Sequence, residues 1–171
     1  MQAFDSLSRN IQQYIYDKGW PSLTRIQNAA IKQVANTDHN LILSAPTASG
    51  KTEAAFIPAL NSVEDWDTGL KVLYISPLKA LINDQFQRIS ELSAYLDIPI
   101  TPWHGEVSQA QKKKVVNQPK GILLITPESI EGMLVNRPGK AQHLFKGVEW
   151  IIIDELHSFL GTERGVHLQS L

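Results

Sequence analysis

The sequence predicts a doubly wound α/β domain, a mostly parallel sheet with helices on both faces. Three observations carry that expectation. Short apolar runs alternate with helical stretches along the chain, the pattern of βα units. The runs are continuous rather than period-two, as suits strands buried on both faces. Three of them end alike, in Ser44-Ala45-Pro46, Ser76-Pro77 and Thr126-Pro127. Proline has no N–H for a ladder and a preset φ, so it closes a strand and opens a helix.

Taken in order, Ser8–Lys18 reads as a helix and Gly19-Trp20-Pro21 as a turn. The expected strands are Asn40–Ala45, Lys71–Ser76, Ile98–Trp103, Gly121–Thr126 and Val148–Asp154. Between them the expected helices are Ile26–Ala35, Thr52–Val63, Ala80–Leu96, Gln109–Asn117 and Pro127–Val135. Pro58 inside the second of these removes a hydrogen bond to Ala54 and predicts a kink. In an open parallel sheet the carboxyl ends of all the strands share one rim, and ligands bind there. The division expected is a helical region over 1–36 and the α/β domain proper over 37–171.

Composition narrows the classes. The chain has 171 residues with 16 basic and 17 acidic side chains, a net charge of −1, 43% apolar residues and no Cys. Disulfides, thiolate metal sites and cysteine nucleophiles are thereby excluded. No apolar run approaches the roughly 18 residues that span a bilayer, and Met1-Gln-Ala-Phe-Asp-Ser does not open a signal peptide. A cytoplasmic protein without a membrane partner is the expectation. Near-neutral charge argues against nucleic-acid binding over the whole surface, but not against a local groove.

The stretch Ala45, Pro46, Thr47, Ala48, Ser49, Gly50, Lys51, Thr52 follows an apolar run and precedes a helix. It fits the phosphate-binding P-loop with Ala45 in place of the first Gly. Backbone N–H groups of such a loop point at phosphate oxygens, Lys51 would reach the β- and γ-phosphates, and Thr52 would ligate Mg²⁺. The acidic counterpart is Ile151-Ile-Ile-Asp154-Glu155-Leu-His157. There Asp154 would hold Mg²⁺ through its water shell, and Glu155 would orient or deprotonate the attacking water.

These two motifs together resemble motifs I and II of superfamily 2 DEAD/DEAH-type helicases, and further motifs then fall into register. Phe4 with Thr24-Arg25-Ile26-Gln27 resembles the Q motif, in which Gln27 would read the adenine edge and Phe4 pack on its face. Ser76-Pro77-Leu78-Lys79-Ala80-Leu81 resembles motif Ia. Thr126-Pro127-Glu128-Ser129 resembles motif Ib, and His104-Gly105 falls where the family has a glycine-containing loop. Each is a helix start or tight turn with free N–H groups, suited to a nucleic-acid backbone, and Lys79 adds charge. Trp103-His-Gly-Glu106, Asp154-Glu-Leu-His157 and Gly161-Thr-Glu-Arg164-Gly165 are similar to the Lhr-like (large helicase-related) group. Glu106 stands where Asp is more usual and Ala48 where Gly is more usual. The resemblance implies a RecA-like first domain of a P-loop NTPase, with ATP and Mg²⁺ as cofactors and a DNA or RNA strand as partner. His157 would couple the two sites, and Arg164 would join the nucleic-acid contacts. It also implies that motif III and a second RecA-like domain with its arginine finger lie outside the chain, so that the piece alone is nearly inactive.

Two other readings stay open on the residues alone: an unrelated P-loop ATPase or small-molecule kinase, and a nucleotide-binding scaffold without catalysis. Lys112-Lys113-Lys114 reads as a solvated helix face, because consecutive helical residues point in different directions. Trp103 reads as core, and the five His residues show no metal-ligand spacing.

Overall fold

The computed structural model describes residues 3–46 and 48–170. The chain divides into two compact units that meet in sequence at Glu64 and Asp65.

The first unit is helical. A 3-10 turn over Phe4–Ser6 leads into α1 (Arg9–Asp17), α2 (Arg25–Asn36) and α3 (Lys51–Ser62). Helix α2 starts where it does because Thr24 and Gln27 form a reciprocal capping box, which satisfies two of the helix's orphan N–H groups. Helix α3 runs on through Pro58 and buries Phe56, Ile57 and Leu60. The expected strand Asn40–Ala45 is not formed: residues 37–46 are irregular, and Ile42 is 83% exposed. An apolar run becomes a strand only where a neighbour pairs its backbone, and the other elements of this unit are helices.

The second unit holds a four-stranded sheet in the order β2-β3-β1-β4. Its strands are β1 (Gly69–Ile75), β2 (Ile100–Trp103), β3 (Lys120–Ile125) and β4 (Trp150–Ile153). All three pairings are parallel. Around the sheet run α4 (Lys79–Tyr95), α5 (Gln109–Asn117), α6 (Pro127–Asn136), α7 (Pro138–Phe145) and α8 (Glu163–Ser170). One face carries Leu73, Ile75, Leu123 and Ile125 against Ile130 and Met133 of α6 and Leu144 of α7. The alternate residues Val72, Tyr74, Ile122 and Leu124 are buried as well, so the central strands are covered on both faces, as parallel strands require. At the edge, β4 leaves Ile151 59% and Ile153 40% exposed.

Helix α7 was not expected from the sequence. Pro138 stands at its first turn, where the missing N–H costs nothing. Lys71 is the extra residue of a bulge between β1 and β3, and its buried ammonium pairs with Glu149 at 2.7 Å.

The register fixes the rim. Ile75 lies opposite both Ile125 and Ile153, and Trp103 opposite Ile125. All four strands thus end on one row, with neighbours about 4.8 Å apart.

Candidate functional site

In the first unit the P-loop residues form a turn into α3. Gly50 caps that helix with φ at 84°. A Cβ there would also meet the Gln27 side-chain nitrogen at 2.4 Å, so glycine is required for shape and space alike. Ala48 has φ at 59°, a left-handed conformation that glycine adopts without strain. Ser49 Oγ is shielded from solvent and has no partner among the described residues. Such an orphaned hydroxyl at a helix start fits a phosphate oxygen. Lys51 is exposed and Thr52 half-buried at the first turn, Ala45 is half-buried and Pro46 exposed. Thr47 lies outside the described residues.

Gln27 is 4% exposed. Its carbonyl oxygen accepts from the Thr24 N–H at 2.9 Å, and its amide nitrogen donates to the Gly50 carbonyl at 3.5 Å. The amide thus ties α2 to the P-loop turn. Phe4 is half-buried, and its carbonyl accepts from Gln12 at 2.9 Å.

In the second unit the rim collects the remaining residues. Asp154 follows β4, and its N–H still donates to Ile75 at 2.9 Å. Its carboxylate accepts from the Tyr74 hydroxyl on one oxygen and from the Glu155 N–H, at 2.9 Å, on the other. A carboxylate offers about four lone-pair sites, so two donors orient Asp154 and still leave it able to ligate a cation. Burial, and then the hydrogen bond to Asp154, push the Tyr74 phenol well above its ordinary pKa. Glu155 has φ at 49°, which turns its carboxylate to within 3.4 Å of His157 Nε2. Among the described residues no group of three or more His, Cys, Asp or Glu could hold a metal.

Next on the rim, Pro77 is buried and Lys79, exposed, donates to Glu106. His104 is buried, with Nε2 at 3.0 Å from Asn83 Oδ1, and Gly105 beside it is exposed. Thr126 Oγ1 lies 3.0 Å from Ser129 Oγ, and Pro127 begins α6. Arg164 joins two loops: its Nε donates to Glu128 at 2.9 Å and its Nη2 to the Pro77 carbonyl at 2.7 Å. Gly165, next in sequence, lets the start of α8 pack on the Phe159 carbonyl oxygen, from which a Cβ would lie only 1.8 Å.

Three residues were not singled out as site residues from sequence: Tyr74 behind Asp154, Asn83 behind His104, and Glu106 on Lys79. Only Tyr74 carried a signal, because a phenol within an aliphatic strand needs a buried partner.

Comparison with known proteins bears on what this arrangement belongs to. The family model described as DEAD/DEAH box helicase matches residues 24–171. The chain is 32% identical over 166 residues to ATP-dependent helicase Lhr-Core of Saccharolobus solfataricus, covering 89% of this chain and 19% of that protein. It is 36% identical over 169 residues to the Lhr helicase/uracil glycosylase of Escherichia coli, covering 85% of this chain and 11% of that protein. Among solved structures, Mycobacterium smegmatis helicase Lhr bound to ssDNA and AMP-PNP superposes with a TM-score of 0.84 at 28% identity. That likeness covers 98% of this chain and 22% of the other. The chain therefore spans about a fifth or less of the length of these relatives.

Proposed function

Because the chain belongs to the DEAD/DEAH box helicase family, we propose that it is the ATP-binding first RecA-like domain of an Lhr-like, ATP-dependent nucleic-acid helicase or translocase. The observation that carries this reading is the register of the rim. It brings the loop after Ile75, the start of α6 and the Asp154-Glu155 pair to neighbouring strand ends.

Within that reading Lys51 and the N–H groups around Gly50 bind the β- and γ-phosphates of ATP. The positive end of α3 and the ammonium both favour the negative charge that accumulates there. Asp154 and Thr52 each offer an oxygen of the kind that would hold Mg²⁺, an ion usually bound by one or two protein oxygens plus substrate phosphates. When bound, Mg²⁺ neutralises charge on the phosphate oxygens. Glu155 orients the attacking water and takes up its proton, and His157, beside it, carries the state of the ATP site to the nucleic-acid track. Pro77, Lys79, His104, Gly105, Thr126, Pro127, Glu128 and Ser129 line that track, mostly through backbone groups and helix starts. Arg164 serves the track by holding two of its loops together. An arginine finger from a second domain would be worth on the order of 10³–10⁵ in rate, so this domain alone binds ATP weakly and hydrolyses little of it.

The test is ATP binding by the 171-residue chain, read by titration with a fluorescent ATP analogue. Lys51→Ala removes a charge-assisted contact of about 1.5–3 kcal/mol and is expected to weaken binding roughly ten- to a hundredfold. Equal affinity in the variant would contradict the placement of the phosphates.

A further inference from the structure

Helix α5 turns an unusual face inward. Gln109, Lys112, Lys113 and Val116 line one cavity, at the i, i+3, i+4, i+7 spacing that normally packs a helix on its core. Yet no residue of α5 is buried. The cavity has a volume of about 240 Å³. Across it stand Met133 of α6, then Arg137 and Lys140. Trp103 lies at its floor, only 8% exposed and with Lys112 Nζ 5.7 Å from the ring centroid. Lys113 and Lys114 are exposed, as a solvated face expects, and Lys112 is half-buried; Lys112 and Lys113 also line this cavity, while Lys114 does not.

The electrostatics are one-sided. Four cationic side chains and no carboxylate line the space. Of the acids of α6, Glu128 pairs with Arg164, and Glu131 stands 3.0 Å from His167 Nε2 rather than in the cavity. Like charges held within a Debye length of about 8 Å repel, and an anion relieves them. The floor, Trp103 with Met133, is apolar and aromatic, which a bare phosphate would leave unused. A second lobe follows α6 to Ser129, on the first turn of the helix that starts at the rim. The groove is therefore continuous with the proposed nucleic-acid track.

We propose that this groove is a second seat for a single-stranded nucleic acid. One base lies against Trp103 and Met133, displacing Lys112 from the ring face, and the flanking phosphates pair with Lys112, Lys113, Arg137 and Lys140. Stacking on an aromatic floor beside a cationic groove is how single strands are held without sequence preference. The volume suits one nucleotide unit, being below the roughly 300–1,000 Å³ of pockets that enclose larger ligands. The proposal rests on the reading of the rim as a nucleic-acid track, and it adds contacts beyond that rim.

The experiment measures binding of a fluorescein-labelled oligothymidylate of about twelve nucleotides to the 171-residue chain by anisotropy across a salt series. Lys113→Glu/Lys140→Glu reverses two exposed charges of the groove. Lys32→Glu/Lys114→Glu makes the same charge change outside it, and the melting temperatures of both variants verify folding. Each phosphate contact on a single strand contributes about −0.7 to the slope of log K against log salt. The groove variant is expected to flatten that slope by about 1.4 and to weaken binding at low salt at least tenfold, and the control variant to stay within about threefold. An oligomer with abasic sites is expected to bind the unaltered chain several-fold more weakly than oligothymidylate. Equal losses in the two variants, no preference for bases, or competition by polyglutamate as strong as by DNA would overturn the proposal. An unchanged slope in the groove variant while Lys79→Ala weakens binding overturns the groove and leaves the rim reading intact. No binding by the unaltered chain overturns both.

Discussion

Two residues of one loop carry opposite expectations. Ala48 holds φ at 59° and Gly50 φ at 84°, both in a basin that costs a side chain roughly 1–2 kcal/mol. At Ala48 that strain is present, so Ala48→Gly is expected to relieve it. The gain is partly offset by the roughly 0.5–1 kcal/mol of extra freedom glycine has when unfolded. The net effect is a rise in Tm of up to about 6 °C for a chain of this size, measured by thermal melting. At Gly50 the strain would be created, and the new Cβ would meet Gln27 at 2.4 Å. Gly50→Ala should therefore lower Tm. A fall in Tm for Ala48→Gly would contradict the left-handed geometry of the loop. At this scale the candidate residues were legible, since Lys51, Thr52, Asp154 and Glu155 are singled out by residue type and context. Their supports were not. The Tyr74 hydroxyl reaches Asp154 across 80 positions of sequence, and no local pattern encodes such a partner.

Among the elements, Arg164 makes the firmest claim. It bridges the Pro77 carbonyl and the Glu128 carboxylate, tying the loop after β1 to the first turn of α6. Arg164→Ala breaks both links. Glu128→Gln weakens only the ion pair, worth about 0.2–1 kcal/mol where partly exposed. The carbonyl of buried Pro77 additionally loses a charged donor, so Arg164→Ala should cost about 1–3 kcal/mol more. A double-mutant cycle on chemical denaturation checks this. Equal losses in the two single variants would mean that the Pro77 link contributes nothing.

Helices were the most legible elements, because their ends are written locally. Ser108 caps α5 through the Gln111 N–H at 3.3 Å, Pro127 opens α6, and Thr24 boxes α2. Strands were less so. The run Asn40–Ala45 has the apolar composition of a buried strand, but pairing depends on a neighbour that composition does not specify. The Lys71 bulge and the short helix α7 were hidden for the same reason: each answers to what packs beside it.

For the molecule as a whole, a net charge of −1 conceals a local asymmetry. Cations gather where α5, α6 and α7 enclose the groove, while the rim relies on helix starts and on Lys79, which is already paired with Glu106. Overall charge could not reveal this arrangement, because the sequence positions involved come together only on folding. The α/β class and a rim formed by four of the five expected strand ends were readable beforehand, while the expected strand Asn40–Ala45 does not form. Their register supplied what the sequence could not, the order in which the loops stand side by side. In the function we propose, this order serves ATP hydrolysis coupled to a nucleic-acid strand. The most direct measurement is ATP turnover by the full-length protein, with and without a single-stranded oligonucleotide, in parallel with its Glu155→Gln variant. The expected result is turnover stimulated by the strand and reduced about 10²–10⁴-fold in the variant, with ATP binding retained. Turnover indifferent to the strand, or undiminished in Glu155→Gln, would contradict it.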